Sequence, residues 1–471
     1  ESEFRFKVKH TLRTIFFWVA FYSAQIQRWS NMTTMHLSDA SPKEASTHSL
    51  GNTNAKFILI ITTLLYTINY MDRMVLSVTL PLIKAEFGFS DAQCGWLGTI
   101  YFLFTAMMII PVAVIVDKWS RKKTISLMAA VWSIGTFFTG IGSSFVQLMF
   151  SRGIVGMGEA GFVPGGTAYI SGSFKESVRA KVLGVFTSGS TLGMLLGIIL
   201  AGHVAQANYF NLGWRLPYFL FAIPGVILGI LILFTRDFPN QASRDVVDKG
   251  MSGQVKQEIL SLLKKPAFIL CAIGLACAGF SVTATVHWYP TYLMRTWGIE
   301  TAKASSMFGL IMACSIPAPI IVGAIADRWK IKRDNARVLT AAVFLLLSAI
   351  GYLLALTLDL QGKNGFGYAI FIFNIFAISG AVAPVYSITQ DLAPPALRGI
   401  SMGLMLLITY GTLGGYAPTI IGWISDIMGT VGQPDLQKAF LFIPIPLFMG
   451  AIIFFAAARL VEGKSADNRV L

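Results

Sequence analysis

Asp117-Lys118-Trp119-Ser120-Arg121-Lys122-Lys123 returns 210 residues later as Asp327-Arg328-Trp329-Lys330-Ile331-Lys332-Arg333. Each copy follows an apolar run long enough to cross a bilayer, approximately 94–116 and 304–326, and opens a short basic loop. Two more matches keep the same order. Pro81 pairs with Pro290 at an offset of 209, and Arg179-Ala180-Lys181-Val182-Leu183-Gly184 pairs with Arg398-Gly399-Ile400-Ser401-Met402-Gly403 at 219. Three pairings in sequence order argue for a duplicated chain. The halves read as parallel repeats related by an axis along the membrane normal, with a substrate site between them at the midplane.

Outward from these loops, apolar runs recur at approximately 57–83, 94–116, 124–143, 146–173, 180–205, 214–235, 267–294, 304–326, 337–358, 366–389, 397–425 and 437–460. That is an all-α membrane protein of twelve transmembrane helices in two pseudo-symmetric six-helix bundles. The expected organisation is an N-terminal extension over 1–56, a first bundle over 57–235, a cytoplasmic linker over 236–266, a second bundle over 267–460 and a cytoplasmic tail over 461–471. Residues 1–56 hold an apolar core, Ile15 to Ala24, that is too short to span, so a cytoplasmic or interfacial placement is expected. The chain opens with Glu1, which suggests a trimmed, fused or extended start with Met32 and Met35 as candidate natural beginnings.

Composition agrees. The 471 residues are 55% hydrophobic and 13% charged, with a mean hydropathy of +0.65, against about 25% charged residues in soluble domains. The net charge of +14 sits mainly in short loops, as membrane orientation requires, so no nucleic-acid partner is expected. Lys118, Arg121, Lys122, Lys123, Lys175, Arg179, Lys181, Arg328, Lys330, Lys332 and Arg333 fall on one side, while Lys84, Arg215 and Lys363 stand alone on the other. Both termini should therefore be cytoplasmic, in an inner or plasma membrane. The four cysteines lack metal-ligand or disulfide spacing, and no metal is expected.

The loops after spans two and eight, on a six-plus-six chain, resemble those of the major facilitator superfamily over residues 57–460. Asn69-Tyr70-Met71-Asp72-Arg73 in span one, Arg152 to Ala160 (R-G-I-V-G-M-G-E-A) in span four and His287 to Leu293 (H-W-Y-P-T-Y-L) in span seven resemble its spinster branch, with kinship to organic anion:cation symporters. The resemblance implies a fold of two rocking bundles, a transport activity, and a cytoplasmic gate at Asp117, Arg121, Asp327 and Arg328. The first gate copy departs from the pattern, with Ala113 and Ser120 where glycines are usual; Gly323 keeps it in the second.

Two spans carry charge where charge is expensive. Asp72 lies roughly 22 Å into span one, near the bilayer centre, where an ionisable group costs about 2.5–3.5 kcal/mol on the most lenient scale. Arg152 and Glu159 are seven residues apart, on one face of span four. We expect Asp72 and Glu159 to carry protons, with Arg73 and Arg152 as charge partners. Protonating an acid frees a guanidinium to hold an anionic solute. The resemblance assigns proton roles to the same two acids and makes Arg73 substrate-facing. The competing reading is a buried ion-pair network that only welds span one to span four. At the repeat offsets Asp72 falls on Ser281 and Glu159 on Ile378, so a symmetric weld is not duplicated.

The expected cavity lining is Tyr70, Tyr101, His287, Tyr289, Asn374, Tyr386 and Tyr410; for each taken singly, helix packing is the competing explanation. His287 is also placed near the outer interface. Gly189, Gly193 and Gly197 form a small-residue stripe on span five, without the proline that many drug antiporters carry there. The function this supports is proton-coupled symport of a small organic anion by alternating access, with no cofactor beyond the proton and a monomer in the bilayer. Alternatives are an exporter or flippase of lysophospholipid-like amphiphiles and, in another class, a transporter-like sensor. No H-E-x-x-H, G-x-S-x-G or nucleotide-binding loop appears, so an enzyme is not expected.

Overall fold

A computed structural model describes residues 52–174, 176–237, 260–360, 364–393, 398–430 and 433–467. Residues 1–51 of the expected N-terminal extension and most of the linker lie outside the described residues, while 52–56 belong to the first helix. Spans one, two and three are single helices, Asn52–Phe87, Asp91–Lys118 and Arg121–Gly140. Span four is two helices, Phe145–Glu159 and Phe162–Ser173. Span five is Glu176–Ala207, and span six is Leu216–Leu231 with a short continuation. In the second half, span seven is Pro266–Trp297, nine is Ala336–Leu360, ten is Asn364–Leu392 and twelve is Pro444–Asp467. Span eight is Thr301–Ser315 then Ala318–Lys330, and span eleven is Arg398–Gly411 then Leu413–Met428. Continuous runs were expected at four, eight and eleven, and each is broken near its middle. Pro317 cannot continue the first segment of span eight and instead precedes the second, while Thr412 leaves helical geometry in span eleven.

Local chemistry sets the ends. Ser90 caps span two through a full capping box with Gln93, Ser120 caps span three, and Ser144 caps span four. Gly298 closes span seven at φ +62°, in the left-handed region. Nine helical stretches among the described residues are long and apolar enough to cross a membrane by length and hydropathy: spans two and five to twelve. Spans one, three and four fall short, and these are the spans that share the polar interior of the first bundle.

The halves meet along spans two and eleven, five and eight, and one and seven. Their hydrogen bonds and ion pairs cluster at the end where span one turns into span two, here the sealed end. Arg295 reaches Asp91 with both guanidinium nitrogens, 2.7 and 2.8 Å from its two carboxylate oxygens. Ser425 donates to Asp91 at 2.7 Å, and Lys84 of the same half pairs with it. Reciprocally, the backbone N–H groups of Asp91 and Ala92, at the start of span two, hold Asp426 at 3.0 and 2.8 Å, a carboxylate on a helix N-terminus. Thr419 bonds Thr99, and Gln206 joins Glu300 and the amide of Ala302. At the opposite, basic end, Asp327 and Asp391 share Arg337, and Lys330 pairs with Asp391, all within the second half.

Candidate functional site

Glu159 ends the first segment of span four. Its side chain is fully buried, and Arg73 of span one donates to Oε2 from Nε at 3.2 Å and from a terminal nitrogen at 2.8 Å. The Tyr101 hydroxyl of span two donates to the same oxygen at 2.5 Å. Glycine makes this convergence possible: a Cβ on Gly156 would stand 2.3 Å from the Tyr101 carbonyl oxygen, so only a bare backbone lets span four this close to span two. Arg73 keeps 22% of its side chain exposed, lies over the Tyr70 ring at 4.5 Å and is 5.5 Å from the Tyr101 ring centroid. The guanidinium is therefore part-exposed while held by a buried carboxylate.

Asp72, next in sequence, turns the other way. It is buried, with the Thr136 hydroxyl of span three donating to Oδ2 at 2.5 Å. Among the described residues its Oδ1 has no hydrogen-bond partner, nor do Nε and one terminal nitrogen of buried Arg152, Oε1 of Glu159, Nδ2 of Asn69, Nε1 of Trp132 or Oγ of Ser133. Arg152 lies 5.4 Å from the Tyr101 ring centroid. Asp72 and Arg152 form no ion pair at contact distance among the described residues. Ser281, the repeat counterpart of Asp72, instead donates to the Ile443 carbonyl, and Ile378 is plain core.

Of the seven cavity residues expected from sequence, the structure gathers three. Tyr70 and Tyr101 frame Arg73, and Tyr410 stacks on Phe102, the chain neighbour of Tyr101. Tyr386 is half-buried on span ten. The other three are placed elsewhere. His287 is buried against Gly98 at the sealed end, and its Nε2–H donates to the Cys94 carbonyl at 3.1 Å across the halves. Tyr289 stacks on Phe371 at 4.1 Å inside the second bundle. Asn374 accepts from Ser348, joining span ten to span nine. These contacts are those of helix packing, the alternative open for each in the sequence.

The gate residues also divide. Arg121 donates to the Ala168 carbonyl of its own half at 3.0 Å, Asp327 pairs with Arg337, and Arg328 is exposed; the Asp117 side chain lies outside the described residues. Sequence reasoning missed Asp91, Asp426 and Arg295. An acid at a helix start reads as an ordinary cap, and nothing in spacing tells that its partners come from the other half.

Residues 62–418 match the model of the Major Facilitator Superfamily. The chain belongs to that superfamily. Among similar proteins, this facilitator is 29% identical over 404 residues to an MFS-type efflux pump of Mycolicibacterium smegmatis, covering 83% of this chain and 90% of that one. It is 27% identical to the mouse sphingosine-1-phosphate transporter SPNS2, covering 86% and 77%. The crystal structure of a bacterial homologue of the human lysosomal transporter spinster, inward-facing and unoccupied, superposes with a TM-score of 0.75 at 23% identity, covering 88% and 98%. The chain is thus a multi-pass membrane transporter of the facilitator fold that resembles the spinster branch, and not an enzyme.

Proposed function

We propose that this transporter is a proton-coupled symporter of an organic anion, whose anionic group docks on Arg73 between the bundles. The observation that carries this reading is the Arg73–Glu159 pair: a part-exposed guanidinium whose counter-ion is a buried carboxyl group. With Glu159 ionised, the cation is occupied. Protonation of Glu159 removes the charge that holds Arg73, leaving a fork of donors for a carboxylate, sulfonate or phosphate, with tyrosine hydroxyls beside it. Asp72 is the second proton carrier, working through Arg152. By the loop charges the basic end is cytoplasmic, as are both termini, so the sealed end is outer. Relatives include a probable sulfoacetate transporter of Cupriavidus necator, 24% identical, and sphingosine-1-phosphate transporters; both named solutes are anions.

A second reading has one observation in its favour. A crevice of about 200 Å³ opens between spans five and eight, lined by Thr191, Met194, Leu195, Met312, Ile316 and Pro319. Such a slot suits the chain of a lysolipid-like amphiphile, with Arg73 as headgroup clamp, and would make the protein an exporter. The discriminating experiment is solute-triggered proton entry into proteoliposomes, offered sugar acids, monocarboxylates, dicarboxylates and sulfonates, beside a lysophospholipid tracer assay. Response to one soluble anion class, lost in Arg73→Ala, supports symport. Movement of the lysolipid alone moves the assignment to the exporter, and binding without flux of either would make the protein a sensor.

A further inference from the structure

Tyr101 and Phe102 are neighbours on span two, yet their rings belong to different conversations. Tyr101 turns into the first bundle, onto Glu159, and its backbone is pinned there by Gly156 and by the Thr105 hydroxyl, which bonds the Gly156 carbonyl at 3.2 Å. Phe102 turns outward and stacks on Tyr410 of span eleven, centroids 5.2 Å apart and planes 28° apart. The two rings of span two touch edge to face at 5.1 Å. The far side is equally tight: a Cβ on Gly415, just past the break in span eleven, would stand 3.4 Å from Phe102 Cβ and strike the Tyr410 carbonyl. An unbroken chain of contacts therefore runs from Tyr410 in the second bundle through Phe102 and Tyr101 to Glu159 in the first.

We propose that Phe102 is a positioning residue for coupling. By stacking on Tyr410 it transmits the position of the second bundle to the Tyr101–Glu159 hydrogen bond, so the state of the carboxyl group and the state of the halves change together. This rests on the proton-coupling reading for its use in transport, though the contact chain can be tested without it. When the bundles part, the Phe102–Tyr410 stack separates, and Tyr101 loses the support that holds its hydroxyl on Glu159. Conversely, neutralising Glu159 loosens Tyr101, and through Phe102 weakens the grip on span eleven. Around Glu159 stand Arg73 of span one and Tyr101 of span two, with Trp132 of span three packed at Gly158; Arg152 of the same span lies by the Tyr101 ring, and Asp72 of span one bonds Thr136.

The test uses electron–electron distance measurements on full-length protein in nanodiscs, with spin labels at Phe210 and Phe366, exposed positions of the two halves at the sealed end. Glu159→Gln imitates the neutral acid. In a chain with Phe102 intact, it should raise the population with a long label distance by about fivefold or more, the low end of ordinary site-to-site coupling. In Phe102→Ala the same Glu159→Gln change should have less than about a twofold effect, and Phe102→Tyr or Phe102→Trp, which keep a ring for the stack, should restore it. Tyr410→Leu guards against misfolding of the alanine variant and should behave as it does. A Glu159→Gln response that survives in Phe102→Ala, or is missing with Phe102 intact, overturns the proposal. If the distances respond as expected but solute-driven proton entry ignores Glu159, the coupling reading fails and the Phe102 linkage stands.

Discussion

Arg295 of span seven grips both carboxylate oxygens of Asp91 at the start of span two, 204 residues away in sequence and in the opposite bundle. The bond is one arm of a reciprocal clasp, because Asp426 of span eleven is held by the amides of Asp91 and Ala92. Every rocking motion that opens this end must break both arms.

Asp91→Asn keeps the shape but surrenders the charge that holds Arg295, Lys84 and Ser425. With Arg295 still part-exposed, the loss should be about 1–3 kcal/mol rather than the larger cost of breaking a fully enclosed pair. The sealed end should then open in a larger share of molecules, roughly 5- to 150-fold more. Spin-label distances across this end check it; an unchanged distribution would show that the clasp does not set the balance between states.

Arg73→Lys preserves charge and removes the planar fork. An ammonium cannot donate two parallel bonds to a carboxylate or phosphate, nor lie flat over Tyr70 as the guanidinium does. Solute affinity should fall about tenfold or more, a loss of about 1.4 kcal/mol, with protein yield and melting temperature little changed. Competition binding on the purified variant measures it. Equal affinity would place the anionic group elsewhere.

Tyr289→Ala separates packing from recognition. Its ring lies among Tyr292, Phe308 and Phe371 inside the second bundle. Truncation should cost up to about 3–5 kcal/mol of stability, seen as a lower melting temperature, while the affinity of surviving protein for its solute stays unchanged. A selective loss of affinity would return Tyr289 to the cavity.

These placements show what the sequence could and could not carry. The duplicated Asp117 and Asp327 loops and the twelve apolar runs are local patterns, so the bundle architecture was legible from them. The pairing of Arg73 with Glu159 was half legible: charge at mid-membrane depth in spans one and four announced an interior site, but which acid met which base depended on helix rotation. Asp72 and Arg73 are adjacent, about 100° apart around the helix, and that angle sends one toward Thr136 and the other toward Glu159. For Tyr289 and Asn374, depth along the span was legible and facing was not. A polar group can line a cavity or fasten two helices with the same sequence signature. Asp91 was hidden for a different reason, since both arms of its clasp join elements hundreds of residues apart.

The central claim is that Glu159 couples proton to solute. Its most direct test is proton entry into proteoliposomes carrying an internal pH dye, driven by an inward solute gradient, for the unmodified protein and for Glu159→Gln. The account predicts solute-triggered acidification in the first and none in the second, with solute exchange in Glu159→Gln still measurable because Arg73 remains. Undiminished acidification in Glu159→Gln, with folded protein, would contradict it.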